Sequence, residues 1–150
     1  MTKNLPALVY GTLRPGEHNY TTFLEGNTIK ETTVRVNGFR MYGGGGFPYI
    51  TEGEANESIV AELVYIDPEI YSRVLRGLDF LEGYRGEDTN NHYDRIITTV
   101  EVDGETIEAW IYVAGDYAKG GLDKLPVVEH GDWIKFDTEE NIAWRLGLHV

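Results

Sequence analysis

The chain has 150 residues, 41% of them hydrophobic, enough for one domain, residues 1–150, with a core of its own. A formal net charge of −12 argues against partners gripped by their phosphates, so no nucleic-acid partner is expected. Cysteine is absent, which excludes disulfides and thiolate metal sites. There is no apolar run of about eighteen residues to span a membrane and no signal-peptide pattern at Met1–Leu5, so no membrane partner and a cytoplasmic location are expected.

Residues 6–10 (PALVY) read as a short apolar strand that ends at a glycine turn. Residues 17–25 suit a short helix. Residues 32–38 alternate, with Val34 and Val36 on one face, and predict a strand. Gly43 to Pro48 (GGGGFP) predicts a loop, since consecutive glycines have no side chains to pack. That loop is either a plain surface excursion or a flap beside a pocket, with Phe47 and Pro48 as an apolar wall. Residues 59–66 (IVAELVYI) predict a buried strand.

A helix follows. Asp67 suits its N-cap, Pro68 its first position, and Glu69 the positive end of its dipole. Ile70, Val74, Leu78 and Leu81 recur at helical spacing, and Gly83 suits a left-handed cap. Residues 95–102 and 105–113 predict two strands joined by Asp103-Gly104, a hairpin signal. Gly131 to Phe136 reads as a further short strand, and residues 138–146 as a last helix with Thr138 at its N-cap. The pattern predicts an α+β fold: a small, mixed, mostly antiparallel sheet or barrel with a few flanking helices.

Two segments draw attention as chemistry. Tyr10-Gly11-Thr12-Leu13 is a strand end running into a turn, and such a turn aims backbone N–H groups at one point, a nest for an anion. It is equally an ordinary strand-to-loop turn. Glu82 lies four residues after Leu78, on the inward row of the helix. It also sits in the last turn, where the dipole disfavours a carboxylate by roughly 0.3–1 kcal/mol. Either it faces a cleft with a raised pKa, or the helix frays and it is solvated or paired with Arg85. The histidines (18, 92, 130 and 149) have no ligand spacing, so no metal is expected, and His130 reads as a turn residue. Nor is there a nucleophile elbow or a phosphate loop.

Taken in order, YGTLRPG at 10–16 with Asn19, FP at 47–48, ELVYI at 62–66, LDFLEGY at 78–84, YDR at 93–95 and AWIYV at 109–113 resemble the γ-glutamylcyclotransferase-like family. The branch is similar to the small single-domain YGTLR type that includes γ-glutamylamine cyclotransferases. The resemblance implies a cofactor-independent enzyme that cleaves a γ-glutamyl amide by cyclisation, releasing 5-oxoproline and a free amine. It places Glu82 as the catalytic glutamate and the YGTL loop, Tyr10, Gly11, Thr12 and Leu13, against the γ-glutamyl group. The substrate is a small γ-glutamyl molecule; the oligomeric state is left open. The alternative within the same fold is a non-catalytic member that binds a metabolite or a protein in that pocket. The chain departs from the family pattern at Ala61, in the length of its glycine run, and in the polar loop Gly86–His92, which bear on the substrate rather than the chemistry.

The chemistry asks for little. The α-amine attacks its own γ-carbonyl, so orientation supplies much of the acceleration, and one carboxylate can shuttle the proton. The α-carboxylate calls for donors, with the Gly11, Thr12 and Leu13 N–H groups as candidates and Arg14 as another. Tyr93, Arg95 and Tyr112 either line the pocket or pack as half-buried strand residues, and Tyr93 or Tyr112 is the candidate donor to the developing oxyanion.

Overall fold

A computed structural model describes residues 4–43, 47–87 and 89–136. Among the described residues these elements follow in chain order: β1 (Ala7–Val9), α1 (His18–Phe23), β2 (Thr28–Asn37), β3 (Phe39–Tyr42), β4 (Tyr49–Glu52), β5 (Ser58–Ile66), α2 (Tyr71–Glu82), β6 (Tyr93–Val102), β7 (Glu105–Ala114) and α3 (Asp116–Lys119), with a further helical stretch at 133–136. Five strands form one sheet in the order β2-β5-β1-β7-β6, and β3 with β4 forms a separate two-stranded sheet. All pairings are antiparallel except β1 with β7. The α+β, mostly antiparallel expectation holds. The barrel alternative does not: edge strands β2 and β6 approach each other, but no ladder joins them.

β1 is short and apolar because it is the central strand, covered on both faces. Leu8 packs into a cluster with Ile59, Leu63, Ile111 and Trp133. Its neighbours Ala7 and Val9 point the other way, into a cluster with Val64, Val74, Leu78 and Tyr112. The second cluster is closed by α2. Asp67 accepts the Glu69 N–H at 3.0 Å, and Pro68–Ile70 makes one 3-10 turn before the α-helix proper. At the far end Gly83 takes φ 73°, and its N–H and the Tyr84 N–H reach back to Phe80 and Asp79 carbonyls, as a left-handed cap requires. Asp103 (φ 52°) and Gly104 (φ 82°) turn β6 into β7 with both central residues left-handed, the geometry that matches strand twist.

Two features differ from expectation. The loop predicted at 43–48 is flanked by a short hairpin, β3 and β4, whose four-residue strands carry too little periodicity to stand out. Gly131–Phe136 is not a strand: residues 133–136 are helical. Gly131 has φ 70°, and a side chain there would collide with the Ser58 carbonyl at 2.2 Å. The chain then turns, Phe136 N–H returns to the Asp132 carbonyl at 3.0 Å, and the rings of Trp133 and Phe136 stack one helical turn apart. The apolar pair at i, i+3 was helical spacing. The helix expected at 138–146 lies outside the described residues. His130 is in a turn, as expected.

Candidate active site

The end of β1, the C-terminus of α2, and the start of β6 meet around a cavity of about 210 Å³. Its lining includes Tyr10, Gly11, Thr12, Leu13, Glu82, Tyr93 and Tyr112 of the residues singled out from the sequence, but not Arg14 or Arg95. Phe47, Pro48, His18, Asn19 and His92 complete the polar and aromatic part of the wall. The space is below the roughly 300–1,000 Å³ of drug-sized sites, and suits a group the size of one amino acid.

The YGTL wall is a tight turn. Arg14 N–H donates to the Gly11 carbonyl at 3.0 Å, and Asn19 N–H to the Thr12 carbonyl at 3.1 Å. Asn19 Nδ2 also donates to Thr12 Oγ1 at 2.8 Å, tying α1 to the loop. Among the described residues, no acceptor takes the N–H groups of Gly11, Thr12 or Leu13. Three consecutive free donors at a cavity wall fit an anion. Gly11 is needed for space rather than for φ: a Cβ there would lie 2.8 Å from Pro48 Cδ and 2.9 Å from its Cγ. The glycine of YGTL and the proline of FP are thus two sides of one contact.

Arg14, a candidate donor for the substrate carboxylate, is turned away. It is buried, donating from Nη1 to Asp132 at 2.8 Å and from Nη2 to Glu62 at 3.3 Å. Thr33 Oγ1 donates to the same Glu62 carboxylate. Arg14 anchors the loop to β5 and to the turn before Trp133.

Glu82 is the last residue of α2, next to its Gly83 cap. Among the described residues no donor or cation contacts its carboxylate; Arg85 uses its guanidinium on the Asn90 carbonyl at 3.3 Å instead. Glu82 retains some opening toward the cavity, yet the surrounding protein desolvates its carboxyl and raises its pKa from 4.5 to about 7. Its charge is felt by four phenols, Tyr10, Tyr49, Tyr93 and Tyr112, whose pKa values are all raised, chiefly by burial.

Each of three phenols at the cavity gives its proton to the protein. Tyr10 donates to the Tyr112 carbonyl, Tyr93 to the Pro48 carbonyl at 2.6 Å, and Tyr112 to Asp79 Oδ1 at 2.7 Å. What their oxygens have left is acceptor capacity. Asp79 is held in turn by Arg95 at 3.1 Å, and Arg95 lies over the rings of Trp110 and Tyr84. Burial raises the Asp79 pKa, with the Tyr112 hydrogen bond and the Arg95 charge acting against that rise.

The sequence reading missed Tyr49, Asp79, Asn91 and His92. Asn91 is fully buried and shapes the polar loop: its Oδ1 accepts the Arg85 N–H at 3.0 Å, and its Nδ2 donates to the Gly86 carbonyl and Asp94, both at 2.9 Å. The loop delivers His92 to the cavity, where burial lowers its pKa. His92 Nε2 and Tyr49 Oη share a hydrogen bond, and the His92 ring packs edge-on to Phe47, Tyr49, Tyr93 and Tyr117. A lone histidine in a polar run carries no spacing signal; only the fold brings these rings together.

Residues 7–135 match the family described as gamma-glutamyl cyclotransferase, AIG2-like. A gamma-L-glutamyl-butirosin B gamma-glutamyl cyclotransferase from Niallia circulans is 34% identical over 106 residues, 70% of this chain and 64% of that protein. The chain therefore matches under two thirds of that relative's length. An AIG2-like protein from Mus musculus has the same fold, with a TM-score of 0.61 at 23% identity over 85% of this chain and 88% of that one. An uncharacterized protein from Pyrococcus horikoshii gives 0.60 at 19% identity over 91% and 96%.

Proposed function

The chain belongs to the gamma-glutamyl cyclotransferase, AIG2-like family, and we propose that it cleaves a γ-glutamyl amide by intramolecular cyclisation with Glu82 as general base and acid. The observation that carries this reading is a desolvated carboxylate of pKa about 7 in an amino-acid-sized cavity, opposite three free backbone N–H groups. The match to a γ-glutamyl cyclotransferase over most of the chain supports the same substrate class.

In this mechanism the Gly11, Thr12 and Leu13 N–H groups bind the substrate α-carboxylate. The phenol oxygens of Tyr10, Tyr93 and Tyr112 accept from the α-ammonium and orient it. Glu82 takes one proton from that ammonium. The freed amine attacks the γ-carbonyl carbon, forming the ring C–N bond. As the amide C–N bond breaks, the ring nitrogen sheds its second proton, and Glu82 passes both protons in turn to the leaving nitrogen, which departs as an ammonium. The products are 5-oxoproline and an amine, and no water is consumed. A base with a pKa near the working pH is best placed for both transfers, and ring closure within one bound molecule supplies much of the acceleration.

The test is 5-oxoproline release from a panel of γ-glutamyl amines. Glu82→Gln is expected to lower the rate about a thousandfold, within the range of acid–base catalysis. In the wild type, kcat should rise with pH through about 7 as Glu82 ionises. Wild-type turnover in the Gln variant would rule out Glu82 as the base. Binding of γ-glutamyl amides without turnover by the wild type would favour a non-catalytic pocket.

A further inference from the structure

The reading above leaves the leaving amine unnamed, and the mouth of the cavity bears on it. The inner lining, Tyr10, Gly11, Leu13, Pro48, Tyr93 and Tyr112, is buried. The rest of the lining stays partly open: Thr12, Asn19, Leu81, Glu82 and His92 are half-buried, and Phe47 (38% exposed) and His18 form its exposed lip. Tyr117, 72% exposed, extends the lip with its ring 6.0 Å from that of His92. On the cyclotransferase reading, the group attached to the γ-carbonyl faces this opening.

The formal charge in the cavity lining is that of Glu82. No Lys or Arg lines the cavity among the described residues. The two arginines of the neighbouring motifs already have carboxylate partners, Arg14 with Asp132 and Glu62, and Arg95 with Asp79. Burial lowers the His92 pKa, and its Nε2 shares a hydrogen bond with Tyr49. Lys119, two residues on from Tyr117, lies beside Asp116 at 3.9 Å. The chain as a whole carries −12. A second carboxylate on the substrate would find no Lys or Arg in the lining among the described residues. An ammonium or guanidinium would find open aromatic faces, which attract cations, in a field that concentrates them.

Resting on the cyclotransferase reading, we infer that the aromatic lip selects a cationic leaving amine: one that bears a further ammonium or guanidinium group and no carboxylate, such as a di- or polyamine. Phe47 and Tyr117 are its specificity-determining residues, and peptides ending in a carboxylate are poor substrates.

Three γ-glutamyl amides of near-equal length separate the possibilities: those of 1,4-diaminobutane, of 1-aminopentane, and of 4-aminobutyric acid. The expected order of kcat/KM is cationic, neutral, anionic, with the first exceeding the last by about tenfold or more at low salt and by less in high salt. Tyr117→Leu and Phe47→Leu should each shrink the cationic-to-neutral ratio. Equal rates, or preference for the anionic amide, overturn the inference while leaving cyclisation intact. If no amide yields 5-oxoproline, cyclisation itself fails, and the lip is judged by calorimetry on the Glu82→Gln variant. There the same order of affinity upholds it, and equal affinities overturn it.

Discussion

In the inner half of the cavity the phenols are tied into the protein. Tyr10, Tyr93 and Tyr112 hand their protons to a carbonyl, a carbonyl and a carboxylate, and each is buried. At the lip, the side chains of Phe47 and Tyr117 make ring contacts with His92 and leave 38% and 72% of the residue exposed. Hydrogen-bonded, buried groups have one geometry, so the inner half is suited to a group that never changes. Exposed rings hold a range of shapes by dispersion and cation attraction, so the lip is suited to the variable half of a substrate. Substitutions should divide accordingly: inner ones lower turnover of every γ-glutamyl amide alike, and lip ones change the ratio between amides.

After the loss of turnover in Glu82→Gln, the largest effect on the inner wall should come from Gly11→Ala. The new Cβ would meet the Pro48 ring at 2.8–2.9 Å, forcing the YGTL turn or the Phe47-Pro48 segment to shift. Overpacking of this kind costs about 1–3 kcal/mol of stability. A displacement near 1 Å in a binding loop lowers turnover by about a hundredfold. All amides should lose equally, measured as 5-oxoproline release beside a thermal melt. A loss confined to one leaving amine would show that the two halves of the cavity are not separate.

Next in size is the stability cost of Glu82 itself, on the boundary between the halves. Its pKa is about 7 in the folded chain against an ordinary 4.5. Between those values the folded state binds more protons than the unfolded one, so stability falls as pH rises through this window. The favourable contribution is complete below about 4.5 and lost above about 7. Glu82→Gln cannot ionise, so its denaturation midpoint should lack this part of the pH dependence. At pH 8 it should be the more stable protein by about 1–2 kcal/mol, less than the whole shift would give because the carboxyl is partly open to the cavity. Equal stability of the two proteins at pH 8 would mean that the carboxylate is solvated.

The inner half was far more legible in the sequence than the lip, for a physical reason. Tyr10 to Leu13 and Glu82 sit at ends of regular elements, and strand and helix ends are marked locally by glycines, caps and apolar spacing. The Gly83 cap, the inward row through Leu78 and the Asp103-Gly104 turn all appeared where the residues placed them. Asn91 and His92 belong to a loop whose shape depends on contacts from Gly86 to Tyr117, and such contacts leave no period. Arg14 was misread for a related reason. A charged residue in a binding loop suggests a ligand, but Glu62 and Asp132, its true partners, lie 48 and 118 residues away. The 131–136 segment was misread because alternation over so few residues does not separate strand from helix.

The smallest effect on turnover is expected from the phenols, and it decides which group meets the oxyanion. From the sequence, Tyr93 or Tyr112 was the candidate donor. Both hydroxyl protons are occupied, by the Pro48 carbonyl and by Asp79. A donor that must first break a buried hydrogen bond is a poor oxyanion group, because preorganised donors are the effective ones. Asn19 differs: one Nδ2 hydrogen goes to Thr12 Oγ1, and the second has no acceptor among the described residues. Tyr93→Phe and Tyr112→Phe should therefore each lower kcat by less than about tenfold. Each should also cost about 1 kcal/mol of stability, the worth of one hydrogen bond. Asn19→Ala should lower kcat by about a hundredfold, as loss of an oxyanion donor does. A hundredfold loss in either Phe variant, with Asn19→Ala active, would return the role to that tyrosine. It would also mean that its hydroxyl turns from the protein to the substrate during the reaction.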